Sequence, residues 1–284
     1  MRATLIPGQG PLDYARRPWI IALFSAVLVF LYAPIASLIA FSFNVDKSGV
    51  WHGFTLMNYV KAWHNEQIFN ALANSITIAL ISTIFSTIFG AMTALTLWRF
   101  RFPFKNLYQG FIALPIVVPE ICMGISLSMF FSYTGMMGAV RDWIWPFNLI
   151  NIIFAHIAFS FPFVAVVVRS RLVGFNRQLE EASKDLGASE LQTFMNVLVP
   201  FMMPALVAGG LLAFTLSLDD FVITLFSSGP GSVTFPVKIY GMVKRGVDMQ
   251  INAASTVLIV ITLAATLLAM KSQGSAKSGH ERKR

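Results

Sequence analysis

A chain of 284 residues that is 56% hydrophobic and only 12% charged, with 26 phenylalanines and a mean hydropathy of +0.69, is built for lipid. A soluble domain of this size carries about 25% charged residues. The net charge of +8 would suit nucleic acid only if it were clustered, and it is instead shared among segments between oily runs. One cysteine, Cys122, lies inside such a run, so no intramolecular disulfide can form and no metal cluster is suggested.

In chain order, residues 1–18 are polar, basic and rich in Gly and Pro, and read as a flexible N-terminal tail. Trp19–Phe43 carries no charge and exceeds the roughly 20 apolar residues that cross a bilayer. It is too long for a cleaved signal and lacks a small-residue cleavage site. The segment 44–67 holds Trp51, Tyr59 and Trp63, which suit a membrane interface. Ile68–Trp98 is a second uncharged run, longer than needed and therefore expected to tilt. Asn106–Tyr133 contains one charge, Glu120, and Trp143–Val168 contains none, though His156 and Pro162 interrupt it. Pro200–Phe226 carries Asp219 and Asp220, and Met249–Met270 is again uncharged. Between these last two runs, residues 227–248 open with SSGPGS and are expected to form a lip or a re-entrant piece. Residues 271–284 read as a basic tail. The expectation is an all-α, polytopic membrane protein with one six-helix domain over residues 19–270. Placing the N-terminus inside puts fifteen of the 21 lysines and arginines in the inner segments, so both termini are expected to be cytoplasmic. The positive charge then reads as a topology signal, with no nucleic-acid partner.

The inner segment 169–199 is the densest patch of mixed charge. Asn176 can cap a short helix over 178–186 by accepting a bond from a free N–H of its first turn. Leu179, Ala182 and Leu186 then share one face, and Glu180, Glu181, Lys184 and Asp185 the other. Gly187 fits a left-handed C-terminal cap, and Ser189 with Gln192 makes a capping box that starts a second helix. Pro200 and Pro204 mark the start of the next span. This gives a helix–glycine–helix elbow. It either lies on the lipid surface or docks in a soluble partner, and four acids suit the negative inner leaflet poorly.

The elbow resembles the EAA loop of ABC importer permeases, whose pattern is E-A-A, three residues, G, nine residues, I-x-L-P. Here Glu181-Ala182-Ser183 is followed by Gly187 and by Val197-Leu198-Val199-Pro200. Ser183 replaces the second alanine, and Val197 and Val199 replace Ile and Leu. SFNVDKSGVWHGFTLMNYVKAW, ALPIVVPE and LLAFTLSLDDFVITLFSSGPG are similar to the second permease subunit of spermidine/putrescine importers. The resemblance implies that Glu180, Glu181, Ala182, Asp185, Gly187, Glu190 and Pro200 belong to a coupling loop that docks on an ATPase. It also implies a second, similar permease, two ATPase subunits that hold ATP and Mg, a periplasmic binding protein, and a place in the bacterial inner membrane. No G-x-x-x-x-G-K-[ST] phosphate loop occurs in the chain, so no catalytic residue, cofactor or metal is expected on it.

Three acids within the runs are the candidates for a solute pathway: Glu120, Asp219 and Asp220. A carboxylate at span depth costs several kcal/mol and is usually functional. Glu120 lies roughly 21 Å into its run at 1.5 Å per residue. Pro115 and Pro119 remove backbone donors beside it, so a broken helix is expected there. Adjacent residues on a helix point about 100° apart, so Asp219 and Asp220 cannot both face one axis. One is expected to line the pathway and the other to pair with a base or cap a helix. The alternatives are a protonated Glu120 bonded to a neighbouring helix and an interfacial pair of aspartates. Acids favour a cationic solute, a polyamine or an amino-acid derivative. Two other classes compete: a stand-alone ion-coupled carrier and a membrane enzyme. The elbow and the few intramembrane ionisable groups weigh against the first. Four scattered histidines and one cysteine offer no catalytic set for the second.

Overall fold

The computed structural model describes residues 18–46, 49–139, 145–229, 231–244 and 249–281. The chain divides into two compact units, residues 1–62 with 247–257, and residues 63–246 with 258–284.

The first unit begins with α1 (Pro18–Phe41), an apolar helix of 24 residues that has no buried side chain, as suits a surface facing lipid. A polar turn follows it. Buried Asn44 donates to the carbonyls of Asp46 and Val50 and accepts from the His52 N–H, while Asn58 at the start of α2 (Met57–His64) donates to the carbonyls of Ser42 and Asn44. Two asparagines thus satisfy backbone groups of a loop whose strand pairing, among the described residues, is one bridge, Asn44 to Phe54.

The second unit is a helical bundle around α3 (Glu66–Arg99), capped by Asn65, whose side chain accepts from the N–H groups of Gln67 and Ile68. The expected third span is two helices, α4 (Lys105–Val117) and α5 (Glu120–Tyr133), bent by 107°. Pro119 has no N–H to continue the ladder, and Val118 before it is forced into an extended conformation. A short α6 (Met136–Ala139) precedes α7 (Ile150–Val173), which enters through a 3₁₀ turn at Phe147–Leu149; Trp143, expected to open this run, lies outside the described residues. The elbow follows as α8 (Gln178–Asp185) and α9 (Glu190–Thr193).

The second elbow helix does not end before the fifth run. From α9 the chain passes through a π-helical segment, Phe194–Leu198, directly into α10 (Val199–Asp219). The wide turn leaves room for Pro200, whose ring would otherwise strike the carbonyl four residues earlier. The run expected to reach Phe226 breaks at Asp220, which is extended, and resumes as α11 (Val222–Ser227). After α11 the chain is tied to α3: Asn74 donates to the carbonyls of Gly231 and Val233, its Oδ1 accepts from Trp145 Nε1, and Ser75 Oγ accepts from the Phe235 N–H. There α12 (Phe235–Val243) begins. The last helix, α13 (Met249–Glu281), runs through most of the stretch expected as a flexible tail; no proline occurs in it to stop the helix.

Among the described residues four helical stretches are long and apolar enough to cross a membrane, namely α1, α3, Phe147–Val173 and Glu190–Asp219. The bent α4–α5 pair makes a fifth when taken as one span, and Met249–Ala264 is the apolar part of the sixth run. The three central helices approach closely at Val164. A Cβ on Gly90 of α3 would stand 2.6 Å from the Val164 Cβ, and one on Gly209 of α10 would stand 2.9 Å from its Cγ1. Two glycines from two helices thus clasp one valine of the third, and around them Ala94, Val168, Met202 and Ala213 form the buried core.

Candidate functional site

The two helix breaks meet. Helix α5 packs on α11 so closely that a Cβ on Gly124 would lie 2.9 Å from a ring carbon of Phe226. This brings the first residue of α5, Glu120, to the region where α10 ends at Asp219. Both side chains are exposed, and the charges of Glu120 and Asp220 are felt at Asp219. Among the described residues neither Glu120 nor Asp219 has a basic partner. Asp219 also sits on the last turn of α10, where unpaired carbonyls add a partial negative charge. Two exposed carboxylates and a helix C-terminus together concentrate negative charge at this point.

Asp219 ends α10, whereas Asp220 lies past the helix in an extended conformation, so the 100° spacing of helical neighbours does not set their directions. Asp220 is only 8% exposed and turns inward, so it lines no open surface. Its carboxylate accepts from the N–H groups of Ile223 (3.3 Å) and Thr224 (2.8 Å) and from the Thr224 hydroxyl (2.8 Å), capping α11. His156 Nε2 of α7 stands 3.4 Å from the same carboxylate and 2.9 Å from the Thr224 hydroxyl, while its Nδ1 meets Ser217 at 2.6 Å. Ser217 in turn contacts Ser82 of α3 at 3.0 Å. Among the aromatic residues nearby, Phe214 belongs to the buried core and Phe221 packs on Tyr240.

The elbow is built as its residues dictate. The Gln178 N–H donates to Asn176 Oδ1 at 3.0 Å. Gly187 has φ +86°, with its N–H on the Lys184 carbonyl and the Ala188 N–H on the Ser183 carbonyl, the paired bonds of a Schellman cap. Ser189 and Gln192 form the reciprocal capping box. The faces differ from expectation in one respect. Glu180 turns back onto the end of α3, where both its oxygens accept from Arg99 at 2.9 and 3.2 Å. Leu179, Leu186 and Leu191 face outward, Leu186 at 89% exposure, with Ala182, Glu181 and Asp185 exposed beside them. Glu190 pairs with Lys184 at 2.6 Å, and that ammonium holds its carboxyl below the usual range. Pro200 is exposed at the start of α10.

Sequence reasoning missed what grips the elbow. Phe175 packs edge-on to Trp98 of α3 and to Phe201 of α10, while Arg177 covers Trp98 and Arg171 covers Phe201. These aromatic contacts and the Arg99–Glu180 pair fasten α8 to the ends of two long helices. Their partners are tens of residues apart, and no local pattern announces them.

Residues 86–274 match the family described as binding-protein-dependent transport system inner membrane component. The chain is 40% identical over 240 residues to the spermidine/putrescine transport system permease protein PotC of Escherichia coli (strain K12), covering 84% of this chain and 88% of that one. It is 38% identical over 252 residues to the putrescine transport system permease protein PotI of the same organism, covering 87% and 88%. In fold it is similar to a chain of a bacterial ABC transporter involved in the import of the acidic polysaccharide alginate, with a TM-score of 0.71 at 17% identity over 93% of this chain and 96% of that one. The bundle of apolar helices and the glycine-capped elbow are thus those of a membrane transport subunit, and the chain belongs to the family of binding-protein-dependent transport system inner membrane components, the ABC importer permeases.

Proposed function

We propose that this chain is one permease subunit of an ATP-driven importer of polyamines. It works beside a second, similar permease and two ATPase subunits, and receives its solute from a periplasmic binding protein. The observation that carries the reading is the pair of exposed carboxylates, Glu120 and Asp219, that converge at two helix breaks with no basic partner among the described residues. In an apolar span such charges are costly and usually functional, and their sign favours a cation. The names of the relatives, spermidine/putrescine and putrescine permeases, point to the same solute class.

The elbow supplies the drive. Its outward leucines with Glu181 and Asp185 beside them suit a groove on a soluble ATPase at the cytoplasmic side, where ATP and Mg are bound by that partner. Closure of the ATPases displaces α8, and Arg99–Glu180 and the Trp98–Phe175–Phe201 packing pass the displacement to α3 and α10. Because α10 is continuous from Phe201 to Asp219, movement at the elbow reaches the acidic site. The orientation assumed, with both termini and the elbow inside, follows the distribution of lysine and arginine.

The test is uptake of labelled putrescine and spermidine into proteoliposomes holding this chain with the ATPase, the second permease and the binding protein of the same genome. Asp219→Asn is expected to lower uptake about tenfold while basal ATP hydrolysis persists, because a contact used by the moving solute is lost. Unchanged uptake in both Asp219→Asn and Glu120→Gln removes the acids from the pathway. Uptake by the chain alone without ATP removes the importer reading altogether.

A further inference from the structure

The buried cluster around His156 has a hydrogen count that its geometry fixes. Tracing starts at α3, where Ser82 Oγ lies 2.6 Å from the carbonyl of Ile78. A carbonyl only accepts, so the Ser82 proton is spent there. The 3.0 Å contact between Ser82 and Ser217 therefore uses the proton of Ser217. Having given its proton away, Ser217 Oγ can only receive across its 2.6 Å contact with His156 Nδ1, and that nitrogen must carry a hydrogen. At the other end Asp220 accepts from two backbone N–H groups and from the Thr224 hydroxyl. With its proton spent on Asp220, Thr224 Oγ1 can only receive across its 2.9 Å contact with His156 Nε2. Both ring nitrogens donate, and only the imidazolium has two N–H groups. Passing one proton through Thr224 to Asp220 would preserve the count, but both Thr224 bonds fall on Oδ2. A protonated Oδ2 would have to donate to the Thr224 hydroxyl while receiving the Thr224 N–H at 2.8 Å as a weakly accepting acid hydroxyl, whereas a carboxylate oxygen accepts both.

The other titratable groups on the helices packed against α7 are few. Helix α3 has no titratable residue between Glu66 and Arg99, α10 contributes Asp219 and α11 none. Helix α5 brings Glu120, Cys122 and Tyr133, and α4 brings Lys105 and Tyr108. Among the described residues the ion pair of Asp220 is with His156, both groups being almost wholly buried.

We infer that His156 is held as an imidazolium paired with Asp220, and that this buried ion pair is a positioning device. It ties α7 to α10 and α11 across the break after Asp219, and so sets the direction in which Asp219 meets the solute. Asp220 acts through its neighbour and does not touch the solute itself. Its role in uptake rests on the polyamine reading above; the charge state of His156 does not.

Two measurements separate these. The first uses the full-length chain in lipid nanodiscs, with ¹⁵N-labelled histidine and the His156 signals assigned by their loss in H156Q. Both ring nitrogens are expected at protonated positions at neutral pH, and a signal from one bare nitrogen overturns the inference. The second is uptake by the assembled importer. His156→Gln leaves Asp220 buried without a counter-charge and is expected to lower polyamine uptake about tenfold or more, whereas the double variant H156Q/D220N, which buries no charge, regains most of it. A double variant as poor as H156Q overturns the charge-based positioning. Absence of polyamine uptake by the unaltered importer counts against the proposed solute, and the nitrogen spectrum still decides the imidazolium.

Discussion

Gly187 shows how one residue can carry an element. Its φ of +86° lets the chain close α8 with two cap bonds and turn at once into the capping box at Ser189. A Cβ built there would meet nothing within 4 Å, so alanine suffers no clash and its cost is torsional alone, about 1 kcal/mol. Gly187→Ala is therefore expected to lower ATPase co-purification about fivefold, and Gly187→Val to abolish it, because a β-branched residue tolerates positive φ far less. Membrane insertion should be equal in both, as judged by yield in the membrane fraction. Normal ATPase retention in Gly187→Val would remove the elbow from docking. Nearby, the Lys184–Glu190 pair gives a signed pH effect. The folded carboxyl of Glu190 lies below its ordinary value because Lys184 bonds it. The pair's contribution is thus complete above the ordinary value and lost as pH falls through the lowered one. A carboxyl-carbon titration should place Glu190 lower in the native protein than in Lys184→Ala; equal midpoints would show that the pair does not hold in solution.

At the scale of elements, what was legible depended on whether the cause was local. The α4–α5 break could be read from Pro119, whose missing N–H acts within one turn, while Pro115, also expected to break the helix, lies inside α4 without ending it. The elbow could be read from Gly187, Ser189 and Gln192, whose bonds close within a few residues. The break at Asp220 could not, because no glycine or proline marks it. An aspartate there diverts the backbone by accepting from Ile223 and Thr224, and the apolar run continues unbroken on either side. The inward turn of Glu180 depends on Arg99, 81 residues away, which an amphipathic reading of α8 cannot contain. The close approach of α3 and α7 is also non-local, and it gives a prediction. Gly90→Val would force a side chain into Val164, a loss of about 1–3 kcal/mol typical of overpacking. Adding Val164→Gly should restore part of the thermal stability in detergent, because it removes the Val164 Cβ and Cγ1 that stand 2.6 and 2.8 Å from the new Cβ and leaves only the Phe161 carbonyl oxygen, at 2.9 Å, of the three nearest atoms. If the double variant is no more stable than Gly90→Val alone, the two helices are not held apart by that pair.

In the whole molecule the acidic pair, proposed as the solute site, and the elbow occupy the two ends of one rod. Helix α10 runs 21 residues, about 30 Å, with the aromatic grip at Phe201 near one end and Asp219 at the other. Its middle is fixed where Gly209 meets Val164 and Gly210 meets Thr87, so the rod pivots on a dense contact and cannot simply slide. Three kinds of damage should then be separable. Elbow variants lose the ATPase, and Asp219→Asn keeps the ATPase but loses uptake. A variant at the pivot should keep both ends and lose their connection. Gly209→Ala places a Cβ 2.9 Å from Val164 Cγ1, enough to shift α10 by tenths of an ångström while leaving Asp219 and the elbow chemically unchanged. It is expected to retain ATPase co-purification and basal ATP hydrolysis, and to lose most of the stimulation of hydrolysis by polyamine-loaded binding protein. Full stimulation in Gly209→Ala would mean that the signal does not travel along α10, leaving α3, which joins the elbow through Arg99, as the element that carries it.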